Sequence, residues 1–288
     1  MNDTLTVLLP DDDAALHEQV RALSERIEIL TRRQMKERPE RLSDIEIAYG
    51  GLSKEQIADA PNLRWMQTMG AGVNGLLTPA LRTRDFILTN ASGIHAEPIT
   101  EHMFGMLLMH TRRLGEAWDQ QKEHQWGGYD YDANVTLLAG KTLGVLGVGA
   151  IGGHSACVGK AFGMRVLGLR RSGEAHPDVE KMFTPDECGA FLAECDVVMN
   201  TLPLTEKTHG FLGPKEFAVM KPGSILINIG RGATVDTAAL MNALQSGRLG
   251  AALLDVTDPE PLPPDHPLWT MDNVVITPHV SGEHPGYD

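Results

Sequence analysis

Short apolar segments alternate with polar or amphipathic segments along the first third of the chain. Four of them have the length and composition of strands, namely Leu5–Leu9, Ile45–Tyr49, Trp65–Met69 and Phe86–Thr89. The segment between the first two, His17–Thr31, is predicted to be helical. Alternating strands and helices are typical of α/β domains. Residues 1–94 are therefore predicted to form a small α/β domain.

A second and more regular alternation follows from residue 95 to residue 280. Its strand-like segments are Leu143–Gly147, Arg165–Leu169, Val197–Thr201, Ile225–Ile229, Ala251–Val256 and Val274–Thr277. Nearly continuous apolar strands separated by helices indicate a parallel sheet that is covered on both faces. The pattern predicts a doubly wound domain over residues 95–280, with residues 281–288 returning toward the first domain.

A single long helix is predicted from Glu97 to about Gln121, with Pro98 in its first turn and Glu101 near its positively polarised end. Its segment Met103–Met109 is apolar nearly all round, which requires burial on several sides. Two arrangements satisfy this requirement. The helix packs against a second copy of the chain in a homodimer, or it is buried between the two domains of one chain.

Composition and charge exclude several classes of protein. The 288 residues are enough for two domains. A formal net charge of −13 argues against nucleic acid or an anionic membrane as partner. The sequence has neither an apolar run of about 18 residues nor a basic-then-apolar start. Its cysteines, Cys157, Cys188 and Cys195, form no C-x-x-C pair, so we expect no metal site, no disulfide and a cytoplasmic location.

A glycine-rich loop follows the first strand of the second domain. Gly147, Gly149 and Gly152 form a G-x-G-x-x-G pattern between a strand and a helix, which is the arrangement of a dinucleotide-binding Rossmann domain. Gly147 permits a tight turn, Gly149 lets the backbone approach a pyrophosphate, and Gly152 allows close packing of helix and strand. The helix start, with Ala150 and Ile151, would bind the phosphates.

The end of the second strand of this domain indicates which cofactor is preferred. Enzymes that use NAD place an acid there, which binds the ribose 2′-hydroxyl. Here the strand continues into Arg170, Arg171 and Ser172, two guanidinium groups and a hydroxyl that suit a 2′-phosphate. NADP is the predicted cofactor and NAD remains possible. The alternative is that the two arginines are solvated surface residues.

Several motifs in the second half of the chain are specific to one family. They are Asn228-Ile229-Gly230-Arg231-Gly232, Leu254-Asp255-Val256, Pro259-Glu260-Pro261-Leu262 and Thr277-Pro278-His279. In these motifs the sequence resembles the D-isomer-specific 2-hydroxyacid dehydrogenase family, and among its members the glyoxylate/hydroxypyruvate reductases of the NADP type. The resemblance implies a Rossmann domain and a smaller flavodoxin-like α/β substrate domain. Family members normally continue with a helix after the last motif, whereas this sequence ends at Asp288.

The resemblance also implies the catalytic residues, which are Arg231, Glu260 and His279. Arg231 would bind the carboxylate of a 2-keto acid and polarise its carbonyl. His279 would donate a proton to the carbonyl oxygen as hydride reaches carbon, and Glu260 would orient the imidazole. The backbone of a loop in the first domain would bind the other carboxylate oxygen; its residues are Ala71, Gly72 and Val73.

Further cofactor contacts are implied by the resemblance alone. They are Thr201, Leu202, Pro203, Thr208, Ile229, Gly230 and Asp255. Asp255 ends an apolar strand, where a carboxylate needs donors such as the nicotinamide carboxamide. The implied activity is the NAD(P)H-dependent reduction of a small 2-keto acid to a D-2-hydroxy acid. Two alternatives stay open: a corepressor-like protein that senses the dinucleotide, and an enzyme that oxidises formate or phosphite.

Overall fold

The chain divides into two compact units between Gly93 and Ile94, one residue before the predicted boundary. The computed structural model describes residues 4–73, 75, 76, 78–127 and 135–284. Of the segment that was predicted to return to the first domain, residues 281–284 belong to the second unit, and residues 285–288 lie outside the described residues.

The first unit is a five-stranded parallel sheet with the order β2-β1-β3-β4-β5. Its strands are β1 Leu5–Leu9, β2 Ile27–Thr31, β3 Ile47–Tyr49, β4 Trp65–Gln67 and β5 Ile87–Thr89. Its helices are α1 Ala14–Leu23, α2 Arg32–Glu37, α3 Lys54–Ala58 and α4 Pro79–Arg82, with a 3₁₀ helix at Pro39–Asp44. Leu8, Ala48 and Met66 are fully buried on one face of the sheet, where they form its core.

The prediction of a helix over His17–Thr31 is wrong in its second half. Asp13 caps α1 by accepting a hydrogen bond from the Leu16 N–H, and the helix ends at Leu23. Ile27–Thr31 is a strand that pairs with all five residues of β1. Pairing with a buried strand outweighs the weak helical preference of so short a segment.

The second unit is a seven-stranded parallel sheet with the order β12-β11-β10-β9-β6-β7-β8. Its strands are β6 Thr142–Leu146, β7 Arg165–Leu169, β8 Lys181–Phe183, β9 Val197–Asn200, β10 Ser224–Asn228, β11 Leu249–Leu254 and β12 Val274–Ile276. Its helices are α5 Ala96–Thr111, α6 Leu114–Lys122, α7 Ala150–Ala161, α8 Cys188–Glu194, α9 Pro214–Val219 and α10 Thr237–Gln245. Short 3₁₀ helices lie at Pro185–Glu187, Gly232–Thr234 and Pro267–Thr270.

The six predicted strands of this unit are confirmed, and a seventh was missed. Strand β8, Lys181–Phe183, is an edge strand of three residues that pairs only with β7. Such a short segment lacks the apolar run that marks the other strands. Two buried clusters, one on each face of the sheet, form the core.

The prediction of one long helix over 97–121 is also wrong, because the chain breaks between α5 and α6. Arg113 adopts a left-handed conformation with φ 56°, and its side chain pairs with Glu116. Helix α5 buries Met103, Phe104 and Leu107 in the core of its own unit, whereas α6 has no buried residue. The burial that the apolar segment requires is thus largely met within one chain, and the homodimer stays a prediction.

We expect the variant Gly144→Ala to be less stable than the wild type. A Cβ at Gly144 in β6 would lie 2.2 Å from Cys195 Sγ and 2.8 Å from Phe191 Cζ, and overpacking of this kind costs about 1–3 kcal/mol. Urea denaturation measures the free energy of unfolding. Gly189→Ala is the matched control, since a Cβ there would meet no atom within 4 Å. Equal unfolding midpoints for the two variants would contradict the prediction.

No helix among the described residues is both long and apolar enough to cross a membrane. In the same part of the chain no three His, Cys, Asp or Glu side chains are grouped as metal ligands would be. The three cysteines are free thiols, and burial raises the pKa of Cys195 to about 12. This thiol therefore stays protonated at neutral pH.

Candidate active site

The three predicted catalytic residues follow three adjacent strands of the second unit. Arg231 follows β10, Glu260 follows β11 and His279 follows β12. The carboxyl ends of parallel strands lie at one edge of a sheet, which is where open α/β sheets bind their ligands. The glycine loop after β6 and Thr201 after β9 lie at the same edge.

His279 and Glu260 are in direct contact. The Nδ1 atom of His279 lies 2.5 Å from Oε1 of Glu260. An ionised carboxylate only accepts hydrogen bonds, so Nδ1 carries the proton in this pair. Nε2 then becomes the nitrogen that gains and loses a proton, and it makes no hydrogen bond with any described residue. Both side chains are close to half exposed, at 45% and 40%, so the pair is accessible to a ligand.

The backbone around His279 is held by Asp255, at the end of β11. The Asp255 carbonyl accepts a hydrogen bond from the His279 N–H at 2.9 Å. Its carboxylate accepts hydrogen bonds from the Thr277 hydroxyl at 2.6 Å, from the Val280 N–H at 3.0 Å and from the Ser281 N–H at 3.1 Å. His279 adopts a left-handed conformation with φ 57°, which is uncommon for a residue other than glycine. Asp255 thus fixes the loop that carries the imidazole.

These donors also determine the charge of Asp255, whose side chain is almost fully buried. Burial by itself raises the pKa of this carboxyl, but hydrogen bonds from Ser281, Thr277 and the Val280 N–H outweigh it and lower the pKa below its ordinary value. Asp255 was predicted to contact the nicotinamide. Its two oxygens already accept hydrogen bonds from the residues around His279, and the contact with the nicotinamide stays a prediction.

His102 on α5 makes contacts near His279 that were not predicted from the sequence. Its Nε2 lies 2.9 Å from the Thr277 hydroxyl and 3.8 Å from Asp255 Oδ1. The imidazole therefore extends the hydrogen-bond network behind His279. Nothing in the pattern of α5 distinguishes His102 from His110, the other histidine of the helix, because the contact depends on the packing of α5 against the end of β12.

The turn that carries Arg231 is fixed by close backbone contacts. A Cβ on Gly232 would lie 1.8 Å from the carbonyl oxygen of Thr257, and a Cβ on Gly230 would lie 2.6 Å from the carbonyl oxygen of Leu202. The Arg231 carbonyl accepts a hydrogen bond from the Thr234 hydroxyl at 2.6 Å. The turn thus packs directly on the backbone that leads to Glu260, and the Arg231 guanidinium donates a hydrogen bond to the Gly230 carbonyl at 2.6 Å.

A buried polar network under this turn was also missed. The Asn200 amide donates to Asn228 Oδ1 at 3.0 Å and to the Thr234 hydroxyl at 2.7 Å, and all three side chains are buried. Asn228 Oδ1 accepts a hydrogen bond from the Gly230 N–H at 3.3 Å. One feature of the sequence marks this network: β9 and β10 are apolar strands that each end in asparagine.

The glycine loop has the geometry of a phosphate-binding turn. Gly147 has φ +95°, and a Cβ on Gly152 would lie 2.3 Å from the Gly147 carbonyl oxygen. A Cβ on Gly149 would meet no atom within 4 Å, so the space beside it is open. The first N–H groups of α7, at Ala150, Ile151 and Gly152, have no partner within the helix. These donors fit the pyrophosphate of a dinucleotide.

The two arginines of the loop after β7 differ in their contacts. Arg170 is held by the chain: its Nε donates to the Glu174 carbonyl at 2.8 Å, and a terminal nitrogen donates to the Ala175 carbonyl at 3.0 Å. Arg171 is exposed and makes no hydrogen bond or ion pair with a described residue. The Ser172 hydroxyl lies 3.2 Å from a carboxylate oxygen of Glu174. The sequence grouped Arg170 and Arg171 together, but Arg170 is partly structural.

The loop after β9 is ordered by its own threonines. The Thr201 hydroxyl donates to the Gly147 carbonyl at 2.6 Å, which joins this loop to the glycine loop. The Thr208 hydroxyl donates to the Pro203 carbonyl at 2.6 Å. The side chains of Leu202 and Ile229 belong to the core, so they contribute shape rather than polar groups to this edge.

In the first unit, the predicted carboxylate loop follows β4. The carbonyl of Ala71 accepts a hydrogen bond from the Asn90 amide at 2.7 Å, and the carbonyl of Val73 accepts one from the Leu76 N–H at 3.0 Å. Within the described residues, the N–H groups of Ala71, Gly72 and Val73 donate to no other group. The carbonyls of Ala71 and Val73 are therefore engaged and the three N–H groups are open, as a loop that binds an anion requires.

Known proteins resemble this chain over most of its length. The family model "D-isomer specific 2-hydroxyacid dehydrogenase, NAD binding domain" matches residues 104–281, more than half of the chain. Glyoxylate/hydroxypyruvate reductase B of Pectobacterium carotovorum is 38% identical over 235 residues, which are 80% of this chain and 73% of the relative.

Solved structures agree with this match. A D-isomer specific 2-hydroxyacid dehydrogenase family protein from Aeromonas salmonicida is 36% identical with a TM-score of 0.85, over 97% of this chain and 90% of that one. An NADPH-dependent glyoxylate/hydroxypyruvate reductase from Sinorhizobium meliloti, in complex with NADP and sulfate, is 27% identical with a TM-score of 0.80, over 97% and 89% of the two chains. The chain therefore belongs to the D-isomer-specific 2-hydroxyacid dehydrogenase family.

Proposed function

We propose that this protein is an NAD(P)H-dependent reductase that converts a small 2-keto acid into a D-2-hydroxy acid. The observation that carries the proposal is the contact between His279 Nδ1 and Glu260 Oε1 at the edge of the sheet where the glycine loop also lies. This contact leaves Nε2 of the imidazole available for proton transfer. Two of the proteins named above, from Pectobacterium carotovorum and Sinorhizobium meliloti, are reductases of glyoxylate and hydroxypyruvate, which are 2-keto acids.

Each of the proposed site residues has a separate role in the reaction. The guanidinium of Arg231 binds the substrate carboxylate and polarises the neighbouring carbonyl. In the first unit, the open N–H groups of Ala71 and Gly72 are proposed as donors to a carboxylate. A reduced nicotinamide, when bound, would supply the hydride. His279 Nε2 gives a proton to the oxygen on which charge develops, and Glu260 holds the imidazole in the required orientation. In the oxidation direction the same nitrogen accepts the proton.

The dinucleotide is proposed to bind along the edge formed by the loops after β6, β7 and β9. The N–H groups at the start of α7 take the pyrophosphate. Arg170, Arg171 and Ser172 take the 2′-phosphate of NADP, and Thr201 to Pro203, Thr208, Ile229 and Gly230 line the remaining surface. NADP is the preferred cofactor in this proposal, and NAD is also used.

The proposal also includes the location and the oligomeric state of the protein. The three free thiols favour a cytoplasmic location. Two exposed apolar side chains of α6, Leu114 at 51% and Trp118 at 60%, favour a homodimer. Light scattering that gives the mass of a monomer over a wide range of concentration would contradict the dimer.

We expect the purified protein to oxidise NADPH when glyoxylate, hydroxypyruvate or pyruvate is added. The kcat/KM for NADPH should be at least about tenfold above that for NADH, because a charge-assisted hydrogen bond to the 2′-phosphate contributes about 1.5–3 kcal/mol. The loss of absorbance of the reduced cofactor measures the rate. Chiral chromatography of the products from hydroxypyruvate and pyruvate identifies the D isomer, since the glycolate formed from glyoxylate is achiral. Tight binding of NADPH without turnover of any 2-keto acid would indicate a sensor. Turnover with formate or phosphite alone would contradict the proposed substrate class.

A further inference from the structure

The turn after β7 contains an acid that the sequence pattern did not single out. Gly173 adopts φ +67°, and the chain reverses so that Glu174 lies beside the residues that precede it. One oxygen of its carboxylate lies 3.4 Å from a terminal nitrogen of Arg170 and 3.2 Å from the hydroxyl of Ser172. A single carboxylate oxygen therefore contacts a guanidinium and a hydroxyl at once.

These two groups are the ones expected to bind a 2′-phosphate. The end of the second strand of a Rossmann domain meets the adenosine ribose, and guanidinium groups with hydroxyl groups are the donors that bind phosphate oxygens. A carboxylate oxygen makes the same kinds of hydrogen bond. Glu174 thus uses the donors that an incoming phosphate requires.

The remaining contacts of the turn show that the carboxylate is able to leave without disrupting it. Arg170 is held by the carbonyl oxygens of Glu174 and Ala175, which are main-chain groups. The Glu174 side chain is 74% exposed. A rotation of this side chain into solvent breaks no contact that fixes the backbone of the turn.

We infer that Glu174 is a residue that determines cofactor specificity, because its carboxylate occupies the position of the 2′-phosphate and is displaced when NADPH binds. This inference rests on the proposed function. The negative charge of Glu174 opposes the phosphate of NADPH, whereas NADH brings no charge to this position. Arg170, Arg171 and Ser172 favour the binding of NADPH over NADH. Glu174 therefore reduces this difference in affinity.

The experiment compares the wild type with Glu174→Gln, which keeps the size of the side chain and removes its charge. Calorimetry measures binding of adenosine 2′-monophosphate and adenosine 5′-monophosphate, and nicotinamide fluorescence measures binding of NADPH and NADH. We expect Glu174→Gln to bind NADPH and the 2′-monophosphate about three- to fivefold more tightly, as the loss of an exposed charge interaction allows. Its affinity for NADH and the 5′-monophosphate should not rise.

Asp272→Asn is the matched control, because it removes the same charge from an exposed residue at the amino end of β12, the opposite edge of the sheet. It should show no gain for the 2′-monophosphate, and the gain in Glu174→Gln should shrink at high salt. An unchanged ratio of the two affinities in Glu174→Gln, or an equal gain in Asp272→Asn, would overturn the inference. A wild type that binds neither NADPH nor NADH would overturn the proposed function, and this inference with it.

Discussion

The variant His279→Asn is expected to have a kcat about 10²–10⁴-fold below that of the wild type, which is the usual contribution of a positioned general acid. Asparagine cannot transfer a proton at neutral pH. It does tolerate the left-handed conformation that His279 adopts at φ 57°, so the loop held by Asp255 should keep its shape. Affinity for NADPH, measured by nicotinamide fluorescence, should stay close to that of the wild type.

His124→Asn is the control for this variant. His124 is also a left-handed histidine, with φ 55°, and it is exposed, so the same substitution is made in the same backbone conformation away from the predicted site. The control should keep the wild-type kcat. A His279→Asn enzyme with undiminished kcat at saturating substrate would remove His279 from the mechanism.

The variant Arg231→Lys is expected to lose about 10²-fold or more in kcat/KM, because small errors in positioning have effects of that size. Lysine keeps the positive charge, but it cannot form the two parallel hydrogen bonds of a guanidinium with a carboxylate. Since Arg231 both binds the carboxylate and polarises the carbonyl, KM should rise and kcat should fall together. Steady-state kinetics with the best 2-keto acid measure both.

The exposed Arg64 of the first unit, whose side chain is 76% accessible, supplies the matched control. Arg64→Lys should have the kinetics of the wild type. If Arg231→Lys also does, the substrate carboxylate is bound elsewhere. Should only KM change, Arg231 contributes to binding and not to the polarisation of the carbonyl.

The features that the sequence predicted well are those set by local pattern. Strands β1 and β7 have the predicted bounds, because a buried parallel strand needs an uninterrupted apolar run. The conformation of Gly147 follows from the requirement for a turn between a strand and a helix. The adjacency of the strand ends after β10, β11 and β12 follows from the regular winding of a parallel sheet.

The features that escaped prediction depend on contacts between distant segments. Ile27–Thr31 is a strand only because β1 lies beside it. The break at Arg113 comes where the core-facing part of α5 ends at Thr111, and the nearest glycine, Gly115, lies inside α6 and not at the break. The approach of Glu174 to Ser172 depends on the conformation of a turn, and hydrophobic periodicity holds no information about such a turn.

The tight packing of the Arg231 turn restricts how this protein can be redesigned. Any side chain at position 230 or 232 would place its Cβ within 2.6 Å of a main-chain carbonyl oxygen, so these two positions accept only glycine without a shift of the backbone. A library that varies residues 228–234 in search of a new substrate would therefore consist mostly of misfolded members. Variation directed at the first unit, at the open loop of residues 71–73 and the exposed residues around it, avoids this loss, and we expect selections for altered substrates to accumulate their changes there.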